Sequence, residues 1–149
     1  MKKITNNIWI FLLSFLLTNC AVQKASVEAD SKAKQLVAPE GKAIVYIMRP
    51  GTLGFAVKFK VNCDEKYIGA TGGKRFIYTI QDVGKHKIVS YAENNEELEI
   101  TFEANNTYYI EQIPKMGIMM ARNKLSILSV KEGKEKLSGC KLSKDCIEK

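Results

Sequence analysis

One cysteine of the chain, Cys20, stands near the N-terminus, where its thiol could be chemically modified. It comes shortly after an apolar run of ten residues, Ile8–Leu17, which is itself preceded by Lys2 and Lys3. A basic start and a short apolar run are the two halves of a secretory signal, whereas a helix that crosses a bilayer needs roughly 20 apolar residues. We therefore expect residues 1–19 to be a cleaved signal peptide.

The end of this signal, Leu17-Thr18-Asn19-Cys20, resembles the lipobox of bacterial lipoproteins, with Asn19 where Gly, Ala or Ser is commonest. The resemblance implies a diacylglycerol joined to the Cys20 sulfur and usually an amide-linked third chain. Two acyl chains already give stable anchoring. The resemblance also implies that Cys20 becomes the first residue of the mature chain. In a Gram-negative host, Ala21 after that cysteine, instead of Asp, favours the outer membrane. The alternative is an ordinary signal peptide, or a short anchor, with a chance cysteine.

The other three cysteines, Cys63, Cys140 and Cys146, form an odd set for an exported protein in an oxidising compartment. Such a set favours one bridge and one free thiol, and we expect a Cys140–Cys146 bridge that closes a small loop in the tail. A bridge from Cys63 to either of the other two would close a longer loop and stabilise more, on the order of 3–5 kcal/mol. Cys63 lies on the apolar face of its strand, so a buried free thiol there is the remaining alternative.

No residue pattern in the sequence predicts catalysis or a metal centre. His86 is the only histidine, so it has no second imidazole with which to share a metal ion, and no Ser-His-Asp set is visible. We therefore predict a protein that is not an enzyme, with no catalytic residue, no bound metal and no cofactor. A hydrolase is the least favoured hypothesis.

Two groups of residues are candidates for binding a partner. Met116, Met119 and Met120 share a short apolar segment, and methionine makes adaptable apolar contacts. The same thioethers could hold Cu(I), but no His or Cys is interleaved with them. Lys58 and Lys60 begin a lysine-rich stretch that could face anionic lipid or glycan, or could be scattered surface lysines.

Composition fits one domain on a tether. The chain has 149 residues and a formal charge of +7, which falls to about +5 when Lys2 and Lys3 leave with the signal. A net positive charge would suit nucleic-acid binding in an intracellular protein. Nucleic acid is a poor candidate for an exported protein, so we predict no nucleic-acid partner. Residues 20–38 read as a lipidated tether, either a flexible coil or a fraying helix, and residues 39–149 as the folded domain.

From residue 41 onwards the pattern changes to short strands separated by Gly and Asn turns. This spacing favours a mainly β protein with a single antiparallel β-sandwich. A short helix near residues 131–137 ends the pattern. The predicted strands cover residues 42–49, 57–63, 67–68, 76–80, 85–92, 98–102, 107–113 and 125–130.

The order of several short motifs resembles the bacterial lipoprotein family known as domain of unknown function 2846. The opening strand follows that family's P-x-G-x-A-x-V-Y-x-x-R pattern from Pro39 to Arg49, and its P-G-x-H turn is matched at Val83–His86, with Val in place of Pro. The resemblance covers residues 38–142. It implies a β-sandwich of the small prealbumin or PEGA type and implies no activity.

The preferred function is therefore a lipid-anchored envelope protein that acts as a non-catalytic interaction or scaffold module, at the inner face of the outer membrane or at the cell surface. It would bind an envelope protein. The alternative is a glycan- or lipid-binding module that uses an exposed row of aromatic rings, which burial of those rings would exclude. The aromatic candidates are Tyr67, Phe76, Tyr78, Tyr91, Tyr108 and Tyr109.

Overall fold

A computed structural model describes residues 26–119 and 121–147. The predicted signal peptide, Cys20 and Met120 lie outside these residues. The described part of the tether is helical over residues 26–34 (α1), which agrees with the helical alternative of the two that we predicted. Among the described residues, neither helix has the length and apolar character needed to span a membrane.

The rest of the described chain is built mainly from β-strands, as predicted. Nine strands form two sheets, with strand orders β8-β7-β1-β4-β9 and β3-β2-β5-β6. A second helix, α2 (Val130–Ser138), follows β8. The strands are β1 (Lys42–Arg49), β2 (Phe59–Cys63), β3 (Lys66–Thr71), β4 (Arg75–Asp82), β5 (Gly84–Tyr91), β6 (Asn95–Phe102), β7 (Thr107–Lys115), β8 (Arg122–Leu128) and β9 (Lys141–Leu142).

Most strand pairs are antiparallel, as in the predicted antiparallel β-sandwich, but the larger sheet is mixed. The first strand pairs antiparallel with β4 but parallel with β7, and β4 pairs parallel with the short β9. Alternating polarity along a strand fixes which face is buried but says nothing about the direction of its neighbour. The parallel pairing of β1 with β7 follows from the chain path. After β4 the chain forms β5 and β6 in the other sheet and then returns to the larger sheet, where β7 pairs with β1.

The first strand lies at the middle of the larger sheet, and it is buried on both faces. Its inner residues Ala43, Val45 and Ile47 join the core between the sheets, where Val61, Ile77, Ile88 and Ile110 also pack. Its outer face is covered as well, since Tyr46 is only 1% exposed and stacks on Tyr109 at 5.5 Å between ring centroids. This accounts for the unbroken apolar run of the opening motif.

Helix α2 begins at a capping box. The Ser129 side chain accepts from the Glu132 backbone N–H, and the Glu132 carboxylate accepts from the Ser129 N–H. This reciprocal pair satisfies two donors that the first turn of a helix leaves free. The predicted helix over residues 131–137 is thus confirmed to within one residue at each end.

Tyr46 should make the fold sensitive to alkaline pH. Burial, and then the nearby Tyr109 and Tyr78, raise the pKa of Tyr46 to about 12, against an ordinary value of 10.0. Its neutral form is therefore favoured in the folded state, and this contribution to stability is complete below pH 10 and is lost as pH rises from 10 towards 12. The loss amounts to about 3 kcal/mol at 1.36 kcal/mol per pKa unit.

The test is urea unfolding of the wild type and Tyr46→Phe between pH 8 and pH 12. We expect the phenylalanine variant to lose less stability than the wild type across the upper two units, because it has no hydroxyl to ionise. Parallel curves for the two proteins over this range would contradict the prediction.

Candidate functional site

The connection between β1 and β2 presents apolar side chains to solvent. In this segment, residues 50–58, Leu53, Phe55 and Val57 are all exposed. Isolated exposed apolar residues are ordinary, but several together on one short segment mark a surface that binds something.

A buried arginine holds this segment from inside the domain. Arg49, the last residue of β1, has no exposed surface. Its Nη1 donates to the Val57 carbonyl at 2.7 Å, and its Nη2 donates to the carbonyls of Leu53, at 2.9 Å, and Gly54. The guanidinium also lies 4.4 Å from the ring centroid of Phe59. Burial lowers the pKa of Arg49 because desolvation disfavours its charged form.

The use of a buried charge here indicates that the segment has a fixed shape. Burying a guanidinium costs free energy unless hydrogen bonds compensate, and here the bonds go to main-chain carbonyls of one loop. Arg49 therefore fixes the path of residues 53–57.

The connection between β7 and β8 presents a second set of apolar side chains. Met116, Ile118 and Met119 are 82%, 85% and 90% exposed. The Glu93 carboxylate, in the turn between β5 and β6, accepts hydrogen bonds from the backbone N–H groups of Ile118, at 3.2 Å, and Met119, at 3.1 Å. It also accepts from Arg122 Nε at 3.3 Å.

Asn94 reinforces this second clamp. Its side chain exchanges hydrogen bonds with the backbone of Asn123, donating to the carbonyl at 2.9 Å and accepting from the N–H at 2.8 Å. The second apolar connection is thus held by a neighbouring turn, as the first is held by Arg49.

The two apolar connections meet. A Cβ atom placed on Gly54 would lie 3.6 Å from the Cβ of Ala121. Val57 and Ala121 both line a cavity of about 250 Å³, together with Tyr91 and Ala92. We call the surface formed by Leu53, Phe55, Val57, Met116, Ile118 and Met119 the loop patch.

Basic side chains border the loop patch. Lys58 and Lys60 line the same cavity, and both are exposed. Lys58 is engaged, since its Nζ lies 2.6 Å from Oδ2 of Asp145. The loop patch therefore offers apolar contact with lysine side chains at one border, which suits binding.

The predicted partner-binding residues fall on or beside this surface. Met116 and Met119 belong to the loop patch, Lys58 and Lys60 to its border, and Met120 lies outside the described residues. Arg49 and the exposed residues of segment 50–58 were not among the predicted site residues. The available signal was a charged residue that closes an otherwise apolar strand directly before Pro50-Gly51.

The aromatic candidates do not form an exposed row. Phe76, Tyr78 and Tyr109 are buried, with at most 9% of their surface accessible. They pack around Tyr46 on the outer face of the larger sheet, and Tyr109 also lies against Gly133 of α2. Of the six, Tyr67 is the most exposed, at 40%.

The expected Cys140–Cys146 bridge is not formed in the structure. Cys63, Cys140 and Cys146 are not bridged to one another. The Cys146 sulfur instead lies 3.5 Å from both the backbone nitrogen and the carbonyl oxygen of Tyr78, so it contacts the edge of β4. Cys63 is buried in the core, as the free-thiol alternative required.

Comparisons with known proteins agree with the motif order of the sequence. The family model described as "Protein of unknown function (DUF2846)" matches residues 39–124. An uncharacterized protein of Haemophilus influenzae is 35% identical over 141 residues, which cover 93% of this chain and 84% of that relative. No solved structure matches. The chain therefore belongs to the DUF2846 family.

Proposed function

We propose that this protein is a lipid-anchored component of the bacterial envelope whose β-sandwich is a non-catalytic module that binds an envelope protein through the loop patch. The observation that carries the proposal is the pair of apolar connections, both exposed and both clamped by buried or half-buried charged side chains. Binding surfaces that are already ordered pay less conformational entropy on association.

The anchor at Cys20 is supported by the sequence of residues 1–20 and by a relative in a bacterium. Acylation of Cys20 would place the chain in the envelope, with the outer membrane favoured by Ala21. Each buried methylene contributes about 0.8 kcal/mol, so two or three acyl chains hold a protein at a membrane without help from its folded domain. The loop patch is then available for another partner.

A protein partner suits the loop patch better than a bilayer does. A lipid surface accepts apolar tips of any arrangement, whereas the patch has a shape fixed by Arg49 and Glu93. Methionine side chains at the tip suit a protein groove, since they adapt to its contours. The basic border, at Lys58 and Lys60, suits a partner whose surface is acidic around an apolar depression.

The glycan- or lipid-binding alternative has less support. It depended on a row of exposed aromatic rings, and Phe76, Tyr78 and Tyr109 are buried in the outer face of the sheet. Sugar recognition by stacking needs rings whose faces are accessible.

The experiment that tests the proposal is site-specific photo-crosslinking in cells. A photoreactive amino acid is placed at Met119 in the loop patch or, as a control, at exposed Lys131 on α2. We expect a discrete protein adduct from Met119 and none from Lys131, because only the patch faces the partner. Lipid adducts at Met119 without a protein adduct would instead favour the lipid-binding alternative and contradict the proposal.

Two substitutions then separate binding from folding. Ile118→Ser in the patch should remove the adduct, whereas Ile127→Ser, an equally polar change at an exposed isoleucine of β8, should leave it. Exposed substitutions of this kind change stability by about 0.5 kcal/mol or less, so both variants should fold. Cys20→Ser should release the protein from the membrane fraction and weaken the adduct. An adduct that survives Ile118→Ser would contradict a role for the patch.

A further inference from the structure

A second group of residues, away from the loop patch, brings three different ligand atoms together. The sulfur of Cys63, a carboxylate oxygen of Asp64 and a ring nitrogen of His86 all lie within 4.8 Å of one another. The Cys63 sulfur is 3.9 Å from Oδ2 of Asp64, and the same oxygen is 2.5 Å from Nδ1 of His86. One oxygen atom therefore faces both a thiol and an imidazole.

The turn between β2 and β3 creates this arrangement. Asp64 and Glu65 adopt positive φ angles of 48° and 67°, so the chain reverses directly after Cys63. Oδ1 of Asp64 accepts a hydrogen bond from the Lys87 backbone N–H at 2.9 Å, which fixes the carboxylate against β5. That bond is the largest cause of a lowered pKa for Asp64.

The His86 ring is held in one orientation. It stacks on Phe102 with 4.9 Å between centroids, and its Nε2 lies 3.0 Å from the Asp82 carbonyl oxygen. A carbonyl oxygen only accepts, so Nε2 must carry a hydrogen and donate it. In a neutral ring Nδ1 then has a lone pair, and that lone pair points at a carboxylate oxygen, which also only accepts.

Nδ1 of His86 and Oδ2 of Asp64 face each other, an arrangement that suits either a proton on Nδ1 or a metal ion bound by both atoms. The nearby sulfur favours the metal, because thiolate, carboxylate and imidazole are the three donor types that Zn²⁺ prefers. A metal-bound histidine usually donates its other N–H to a carbonyl or carboxylate, as Nε2 does here to Asp82.

We propose that Cys63, Asp64 and His86 form a binding site for a divalent transition-metal ion of the Zn²⁺ class, through Sγ, Oδ2 and Nδ1. Metal–ligand bonds of about 2.0–2.3 Å in a tetrahedron place ligand atoms roughly 3.3–3.8 Å apart. The Cys63–Asp64 separation of 3.9 Å is about 0.1 Å beyond this range. The Asp64–His86 separation must open by about 1 Å, which requires the exposed Asp64 carboxylate to rotate about its hydrogen bond to Lys87.

The charges and the access also suit a metal. A thiolate, a carboxylate and a neutral imidazole together balance a divalent cation, and binding releases the thiol proton and any proton on Nδ1. Asp64 and His86 line an open cavity of about 450 Å³, from which water can supply a fourth ligand. The site is separate from the loop patch, so it does not depend on the proposed function.

The test is titration of the full chain, purified in detergent under reducing and metal-free conditions, with Co²⁺ as a spectroscopic substitute for Zn²⁺. We expect a thiolate-to-cobalt charge-transfer absorption that saturates at one ion per chain and is bleached by an equal amount of Zn²⁺. Cys63→Ser should abolish the absorption, and Cys146→Ser, which changes a cysteine outside the site, should leave it intact.

His86→Gln keeps the Cys63 thiol and gives a second, independent result if the serine variant does not fold. We expect it to weaken Co²⁺ binding at least 10-fold, since it removes one of three protein ligands. Wild-type protein that shows no charge-transfer absorption would overturn the proposal. So would an absorption that is unchanged in either Cys63→Ser or His86→Gln, because the ion would then lie elsewhere.

Discussion

Arg49→Met is expected to lower the free energy of unfolding by about 2–4 kcal/mol and to loosen segment 50–58. The variant keeps an unbranched side chain of similar length but loses three hydrogen bonds to loop carbonyls. Hydrogen bonds from a charged donor contribute about 1.5–3 kcal/mol each, and the desolvation cost that Arg49 no longer pays offsets part of their loss. Urea unfolding gives the stability, and amide hydrogen exchange over residues 52–58 gives the order of the loop.

Arg49→Lys separates the charge from the geometry. Lysine keeps the positive charge but lacks the planar fork that reaches the Leu53, Gly54 and Val57 carbonyls together. We expect it to lose most of the stability that Arg49→Met loses. Full stability in Arg49→Lys would mean that charge alone matters.

Arg75→Met is the matched control for these variants. Arg75 pairs directly with Arg49 in the register of β1 and β4, but it is half-buried and makes one long contact, 3.5 Å, with the Leu142 carbonyl. We expect it to lower the free energy of unfolding by less than about 1 kcal/mol. If hydrogen exchange over residues 52–58 rises as much in Arg75→Met as in Arg49→Met, the proposed clamp is wrong. In the photo-crosslinking experiment, only Arg49→Met should also reduce the adduct from Met119.

Most of the strands could be predicted from the sequence because each leaves a local signal. Lys42–Arg49 contains an unbroken run of apolar residues. In Asn95–Phe102, polar and apolar residues alternate along most of the strand. The two-residue strand Lys141–Leu142 left no such signal. It exists because it pairs with Arg75 and Phe76, which are 66 residues earlier in the chain. The parallel pairing of β1 with β7 is likewise set by tertiary packing, which periodicity does not encode.

The candidate sites divide in the same way. Met116 and Met119 could be predicted because three methionines within five residues stand out in composition. Phe55 could not, since a single aromatic residue in a loop is as often buried as exposed. His86 was interpreted as structural because no second histidine accompanies it. Its sulfur and carboxylate neighbours, Cys63 and Asp64, reach it only when β2 pairs with β5.

Gly133→Ala is expected to lower the free energy of unfolding by about 1–3 kcal/mol, although alanine is the better helix former. In an exposed helix the change would stabilise by about 0.5–1 kcal/mol. Gly133 instead lies against β7, where an added Cβ would stand 2.1 Å from Cγ of Tyr109 and 2.4 Å from its Cβ. Contacts this short force the helix or the strand to move, and such overpacking costs more than the propensity gains.

We expect helix α2 to move in this variant, because Tyr109 is held in place by its neighbours. Its ring stacks on Tyr46, and the clash includes its own Cβ, so a smaller residue at position 109 would not remove it unless that residue were glycine. Displacing α2 would also separate Lys136 from Glu111, whose charged atoms lie 2.5 Å apart across the helix–strand contact.

Gly139→Ala provides the control in the same helix. Gly139 caps α2 with an ordinary φ of −81°, and the nearest atom to an added Cβ is the Lys136 carbonyl oxygen at 3.7 Å. We expect no loss of stability there, since neither strain nor overlap arises. Thermal or urea unfolding of the two variants decides the matter. If Gly133→Ala is as stable as the wild type or more stable, α2 does not pack on Tyr109 as closely as described. The contact between α2 and Tyr109 would then not be what buries the Tyr109 ring.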